Sequence, residues 1–190
     1  MSHLERETAW RVIDSDMALD ETYMRVRRDR IEMHPGSPTV DYYVWEGQDV
    51  ATIVPQTPDG DFILCRQYRH AVRSSLLQFP AGQVDAGESP AAAAERELLE
   101  ETGYTSESLV PLGTVAAYPT KFTGRHHLFL ALNVRQHAPP QLDPAEEIAI
   151  EKLSRNQLVQ ILGTPDFIVA DSVAAAFLAL RATGGATPAT

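Results

Sequence analysis

One segment, residues 82–104, constrains this chain more than any other; it reads GQVDAGESPAAAAERELLEETGY. Its second half carries the signals of a helix over residues 90–102. Ser89 is a good N-cap, and Pro90 suits the first helical position, where no amide donor is needed. The alanines and leucines that follow favour helix, and Gly103 can take the left-handed conformation that ends one. On this helix Glu97, Glu100 and Glu101 lie three or four residues apart and share a face. Ala94 and Leu98 fall on another face, which can pack against a sheet. Arg96 stands four residues before Glu100 and can orient it. Three carboxylates this close repel one another unless a cation is present. Their oxygens suit a hard divalent ion such as Mg²⁺ or Mn²⁺. Mg²⁺ is usually held by one or two carboxylates, water and substrate phosphate, so the arrangement reads as incomplete without a phosphorylated ligand. The loop over residues 82–87 allows close approach of backbone to phosphate. The competing reading of such a charge run is a solvated helix face.

Composition narrows the function classes. The 190 residues fit one domain with a sizeable core. A net charge of −10 argues against nonspecific binding to nucleic acid or to an anionic membrane. An anionic substrate then has to be met by metal and local arginines, against the global field. The single cysteine, Cys65, excludes an intrachain disulfide and follows the apolar run Phe62-Ile63-Leu64, where a buried structural thiol is expected. The N-terminal MSHLERETAW has no apolar signal region, and no transmembrane run occurs; a soluble cytoplasmic protein is expected.

Residues 1–8 read as a loose lead. Short β-like runs dominate residues 10–53, among them the arginine-rich 23–33, then 40–45 and 50–55. His34-Pro35-Gly36-Ser37-Pro38 is a turn, and Asp59-Gly60 is a hairpin signal. Beyond the helix, residues 109–118, 127–134 and 148–153 read as strands. Residues 156–162 and 167–181 read as helices, the second apolar on most sides and so packed on a sheet. The tail over 183–190 is expected to be disordered. This order implies an α+β sandwich with a mixed sheet between helices.

The spacing Gly82, Glu88, then Arg96-Glu97-Leu98-x-Glu100-Glu101-x-Gly103 and a large apolar residue resembles the Nudix box, the signature of hydrolases that cut pyrophosphate linkages. Only the closing aliphatic is replaced, by Tyr104. At about 5–7% per residue type, seven fixed positions coincide by chance in on the order of one chain in a million, which decides against a mere charge run. The resemblance implies a Nudix-type α/β/α sandwich plus N-terminal antiparallel strands. It implies Glu97 and Glu101 as main metal ligands with Glu100 close by, and the Ala81 carbonyl as a further ligand. Glu88 and Arg96 would hold the loop to the helix.

Arg66-Gln67-Tyr68-Arg69 followed by Pro80-Ala81-Gly82 resembles the ADP-ribose pyrophosphatase branch, as does Pro119, fifteen residues beyond Tyr104. That likeness implies a β-rich dimerisation region over residues 1–48, a hydrolase domain over 49–182, a flexible tail and a homodimer. The implied reaction is Mg²⁺-dependent hydrolysis of a nucleoside diphosphate sugar, with ADP-ribose yielding AMP and ribose 5-phosphate. Another sugar nucleotide or dinucleotide, or a nucleotide sensor that no longer cuts, remains open. Two departures bear on the site. Branch members often carry Glu at the position of Gln78, and a catalytic glutamate in the loop that here reads PTKFTGRHH over residues 119–127. The general base is then Glu100, Glu146 or Glu147 from the loop before the next strand, or His126, each weighed against an ordinary surface or loop role. Lys121 and Arg125 either meet negative charge on the distal half of the substrate or are surface cations. Arg66 and Arg69 are candidates for substrate phosphate, but alternation brings them to a similar edge only if the strand breaks near Tyr68. Trp45, Tyr42 and Tyr23 either stack a base across a dimer interface or pack in a core.

Overall fold

A computed structural model describes residues 10–142 and 147–184. The expected loose lead at residues 1–8, the candidate base Glu146 and residues 185–190 of the tail lie outside the described residues. The chain divides into two compact units, one of residues 10–47 with Tyr118–Gly124, the other of the remaining described residues.

In the first unit, β1 (Arg11–Glu21), β2 (Met24–Glu32) and β3 (Val40–Glu46) form an antiparallel sheet in that order. The Pro35-Gly36 turn between β2 and β3 places Gly36 at φ 81°, and Ser37 N–H donates to the His34 carbonyl at 2.9 Å. The arginines of β2 serve ion pairs. Arg28 grips Asp16 on β1 through two hydrogen bonds of 2.9 and 2.8 Å, and Arg27 grips Asp29. The exposed pairs among these set register more than they stabilise, since such pairs contribute roughly 0–1 kcal/mol.

The second unit contains β4 (Val50–Gln56), β5 (Phe62–Arg69), β6 (Ser74–Gln78), β7 (Ala81–Gln83), α1 (Pro90–Thr102), β8 (Tyr104–Thr105), β9 (Ser108–Val115), β10 (His126–Leu132), β11 (Arg135–Gln136), β12 (Ile148–Leu153), α2 (Arg155–Ile161) and α3 (Ala170–Thr183). Its main sheet runs β12-β5-β4-β10-β9, with β10 parallel to β4 and the other pairs antiparallel. The fold is α+β with a mixed sheet, as the sequence implies. Side-chain alternation divides the core into two layers. Ala51 and Ile53 of β4, Ile63 of β5, and Phe129 and Ala131 of β10 pack with Ala93, Ala94 and Leu98 of α1. Val54, Phe62, Leu64, Leu128 and Leu130 face the other way, onto Leu158, Ala175, Ala176 and Ala179 of α2 and α3. Each fully buried Leu, Ile or Phe in these layers contributes about 1.5–3 kcal/mol.

The hairpin signal at Asp59-Gly60 is realised as a turn, with Gly60 at φ 87°. Its two strands then separate at once. β4 and β5 share only the pair Gln56–Phe62. Beyond it, β6 lines β5 from Cys65–Gln78 to Arg69–Ser74, and β7 lines β4 from Thr52–Ala81 to Val50–Gln83. Residues 78–81 therefore sit in a split of the sheet. Strands β6 and β7, of five and three residues, are not legible in the sequence because runs this short carry no usable period.

Helix α1 has the bounds its capping residues imply. The Ser89 hydroxyl accepts the Ala92 amide at 3.1 Å, and Gly103 at φ 73° donates to the Leu99 carbonyl. At Gly103 a Cβ would also lie 2.0 Å from the Ala138 carbonyl oxygen, whereas at Gly60 it would meet nothing within 4 Å. Gly103→Ala is therefore expected to cost more than the 1–2 kcal/mol of left-handed strain alone, roughly, and Gly60→Ala no more than that. Denaturant midpoints of the two variants check the difference.

Candidate active site

Strand β7 and helix α1 build the site between them. Gly82 pairs with Ala51 of β4 and lies against Glu97, so closely that a Cβ would fall 1.9 Å from a carboxylate oxygen. Only glycine fits there. Glu101 is 3% exposed, and its Oε2 accepts the Ala81 amide at 3.0 Å. The Arg96 guanidinium joins the remaining parts. Its Nε and Nη2 donate to the two oxygens of Glu88 at 3.1 and 3.0 Å, and Nη2 also donates to the Gln83 carbonyl at 2.9 Å. Its Nη1 donates to Glu97 at 2.6 Å and to Glu100 at 3.0 Å. The hydrogen bond to Glu88 is the main reason that the Arg96 pKa is raised, and the same bond holds Glu88 below the usual carboxylate range.

The expected residues Gly82, Glu88, Arg96, Glu97, Glu100 and Glu101 are thus brought together, with Ala81 beside them. The cation that their mutual repulsion demands is here Arg96. Among the described residues no three His, Cys, Asp or Glu side chains close into a ready cage for a metal. Arg96 Nη1 bridges Glu97 and Glu100, and Glu101 is turned to a backbone amide. The donor set still fits a hard divalent ion: carboxylate oxygens on one helix face beside a backbone kept bare at Gly82.

Strand β5 runs unbroken through Arg69, so alternation sends its two arginines to opposite faces. Arg66 shares a face with Phe62 and Leu64. There its Nη1 and Nη2 clamp Asp166 at 2.7 and 2.8 Å, and its Nε donates to Glu151 of β12. These bonds raise the Arg66 pKa and commit the side chain to a tie within the fold. Arg69 shares the α1 face with Ile63. Its Nε donates to the side-chain oxygen of Gln78, Oε1, at 2.9 Å, and Gln78 is 1% exposed. Where the branch often has a carboxylate, this chain gives Arg69 a neutral partner.

The two histidines part in the same way. His127 Nε2 lies 2.8 Å from an oxygen of Asp49, whose other oxygen accepts the Arg125 amide at 2.8 Å. His126 Nδ1 lies 3.2 Å from Asp171 Oδ2, which also accepts the Thr52 hydroxyl at 2.7 Å. His126 shares its face with Leu128 and Leu130, opposite to α1, which counts against it as the base. Asp49 and Asp171 carry no sequence signal, because they meet the histidines across 78 and 45 residues of chain, and Thr52 meets Asp171 across 119. Glu147 is exposed at the start of β12, and the Arg125 side chain is exposed.

Pro119, Lys121 and Trp45 belong to the other compact unit. There the loop 118–124 is bonded to β3: Trp45 N–H donates to the Lys121 carbonyl at 2.6 Å and Thr123 N–H to the Trp45 carbonyl at 3.1 Å. Lys121 Nζ lies 3.9 Å over the Tyr42 ring, and the Trp45 and Phe122 rings are 4.6 Å apart. Tyr23 is 95% exposed.

The profile of the NUDIX domain matches residues 47–170, more than half of the chain. The chain belongs to the Nudix family. This Nudix hydrolase is 32% identical to an ADP-ribose pyrophosphatase of Mycobacterium tuberculosis, over 71% of this chain and 65% of that one. It is 30% identical to the ADP compounds hydrolase NudE of Escherichia coli, over 69% of each. A solved structure described as an ADP compounds hydrolase superposes with a TM-score of 0.82 at 26% identity, covering 92% of this chain and 96% of that one. Nudix hydrolases are generally divalent-metal dependent, and within the family this chain is most like the ADP-ribose pyrophosphatase branch. No helix among the described residues is long and apolar enough to cross a membrane.

Three carboxyls near the sheet lie below their ordinary values. Arg66 lowers Asp166, and the His127 and Arg125 donors lower Asp49. Burial pushes Asp171 up, but the bonds from His126 and Thr52 outweigh it. Their stabilisation is complete above the ordinary Asp value of about 3.9 and is lost as pH falls through the lower folded values. Thermal melts are expected to hold steady from neutrality to about pH 5 and to fall below about pH 4. Asp171→Asn should make that acid limb shallower.

Proposed function

We propose that this Nudix hydrolase cleaves the pyrophosphate bond of a nucleoside diphosphate sugar, with ADP-ribose as substrate, Mg²⁺ as the ion, and AMP and ribose 5-phosphate as products. The observation that carries this is the setting of Glu97 against Gly82 and of Glu101 against the Ala81 amide, with Arg96 binding helix to loop. The likeness to an ADP-ribose pyrophosphatase and to an ADP compounds hydrolase supports the substrate class. A second reading, another ADP-linked compound such as a dinucleotide, is favoured by the likeness to ADP compounds hydrolases.

Glu97, Glu101 and the Ala81 carbonyl would hold the divalent ion, with Glu100 beside them. When bound, such an ion lowers the pKa of water and neutralises charge developing on the phosphate oxygens. The residues of the chain do the rest. Arg96 holds the carboxylates of Glu97 and Glu100 side by side on one nitrogen. Glu100, whose side chain is 46% exposed, orients the attacking water; Glu146 is the alternative. Arg69 binds phosphate, helped by an uncharged partner in Gln78. The exposed Trp10, Val12, Ile13 and Tyr43 support residues 1–48 as the surface of a homodimer, and the cytoplasm is the proposed compartment.

The deciding experiment offers ADP-ribose with Mg²⁺ beside GDP- and UDP-sugars and dinucleotides, and separates the products. Preferential release of AMP and ribose 5-phosphate is expected. Tight binding of one compound without turnover of any would replace the hydrolase substrate reading with a sensor. Glu101→Gln is expected to lose most activity while remaining folded by circular dichroism; retained turnover contradicts its role. Gln78→Glu should neutralise Arg69 and raise KM on the order of tenfold with little change in kcat, the signature of lost uniform binding. An unchanged KM removes Arg69 from the phosphate site.

A further inference from the structure

Asp171 is a buried carboxylate that the reaction described above does not use. It stands in the first turn of α3 and is 6% exposed. A charge this far from water is costly unless its partners are well placed, so the partners themselves are informative. Its Oδ2 accepts the Thr52 hydroxyl of β4 at 2.7 Å and lies 3.2 Å from His126 Nδ1 at the start of β10. The next residue, Ser172, is also buried, and its hydroxyl accepts the Phe79 amide at 3.0 Å. One helical turn thus holds two sheet strands and the segment that enters β7. Thr52 is the β4 partner of Ala81, and Phe79 lies two residues before it. The Ala81 amide in turn donates to Glu101, and Gly82 abuts Glu97. Thr52 shares its face with Val54, on the α3 layer. The grip on β7 therefore comes from the side of the sheet opposite to α1.

We propose that Asp171 is a positioning residue of the hydrolytic site: with Thr52, His126 and Ser172 it fixes the register and height of residues 79–82, and through them the placing of Glu97 and Glu101. It touches no reacting atom. Its part in the chemistry rests on the reading of α1 and β7 as a divalent-ion site. The tie between α3 and β7 does not.

The full chain is the test object. Asp171→Ala and Ser172→Ala are compared with Leu158→Ala, which opens the same apolar layer without touching β7. Amide exchange of residues 81–83 is followed by mass spectrometry, and Mn²⁺ binding is titrated by electron paramagnetic resonance. Both site variants are expected to speed exchange at 81–83 while α1 stays protected. Both should weaken Mn²⁺ binding by about tenfold, the lower end of what groups behind metal ligands usually cost. Leu158→Ala should lose thermal stability without either change. Asp171→Asn, which keeps an acceptor for Thr52, should recover part of the Mn²⁺ affinity. Unchanged exchange at 81–83 in folded Asp171→Ala overturns the proposal, as does an equal response in Leu158→Ala. If Asp171→Ala does not fold, Ser172→Ala decides by the same two readouts. If the wild type binds no Mn²⁺ and exchange still responds as expected, the tie stands and the functional reading falls.

Discussion

The Arg96 guanidinium donates to three carboxylates and one carbonyl, and the geometry between β7 and α1 depends on it. Glu97, Glu100 and Glu101 are crowded on one helix face, and without a cation that crowding would splay the side chains. Arg96 supplies the charge from within the same helix. Through Glu88 and the Gln83 carbonyl it also draws the loop over residues 84–89 back onto the helix. A planar fork is suited to this, because its three nitrogens reach separate partners, whereas the three donors of a lysine share one nitrogen. The site is therefore held in shape by charge-assisted bonds on a helix whose ends are set by its own caps.

The second constraint is the split between β4 and β5. A continuous hairpin would leave no edge for β7, and Gly82 would have no strand to lie on. Because the two strands part after Gln56–Phe62, residues 78–83 enter the sheet from both sides of the gap, and β7 takes its register from β4. Strand register has a period of two, so a slip of one residue would turn Gly82 away from Glu97 and put Ala81 in its place. The absence of a side chain at Gly82 and the pairing with Ala51 are two halves of one requirement.

Face assignment explains why similar residues in the chain have different roles. Arg66 and Arg69 are three apart on one strand, and His126 and His127 are adjacent on another. In each case alternation separates them across the sheet. Arg66 and His126 are absorbed into ties with Asp166 and Asp171 on the α3 side. Arg69 and His127 remain on the α1 side, with Gln78 and Asp49.

Much of this protein is legible in its sequence where the signals are local. Ser89, Pro90 and Gly103 bound α1 because caps act on the nearest turn of backbone. The spacing of Glu97, Glu100 and Glu101 places them on one face because helical geometry is fixed over four residues. Strands β3, β4, β9, β10 and β12 and helix α3 are legible because their β-branched or apolar runs are long enough to stand out. Strands β6 and β7 are too short to show a period, and their existence depends on the edges that the parting of β4 and β5 exposes. The partners of the arginines and histidines are likewise hidden: Asp166 meets Arg66 across 100 residues, and Asp171 meets His126 across 45. By itself the sequence determined the helix, its carboxylate face and the family to which that face belongs, since these are set by short-range geometry. Only the tertiary structure decided which arginine is left facing α1, which aspartate backs which histidine, and how β7 is held against Glu97 and Glu101. Those choices depend on strand register and sheet face, which long-range packing sets.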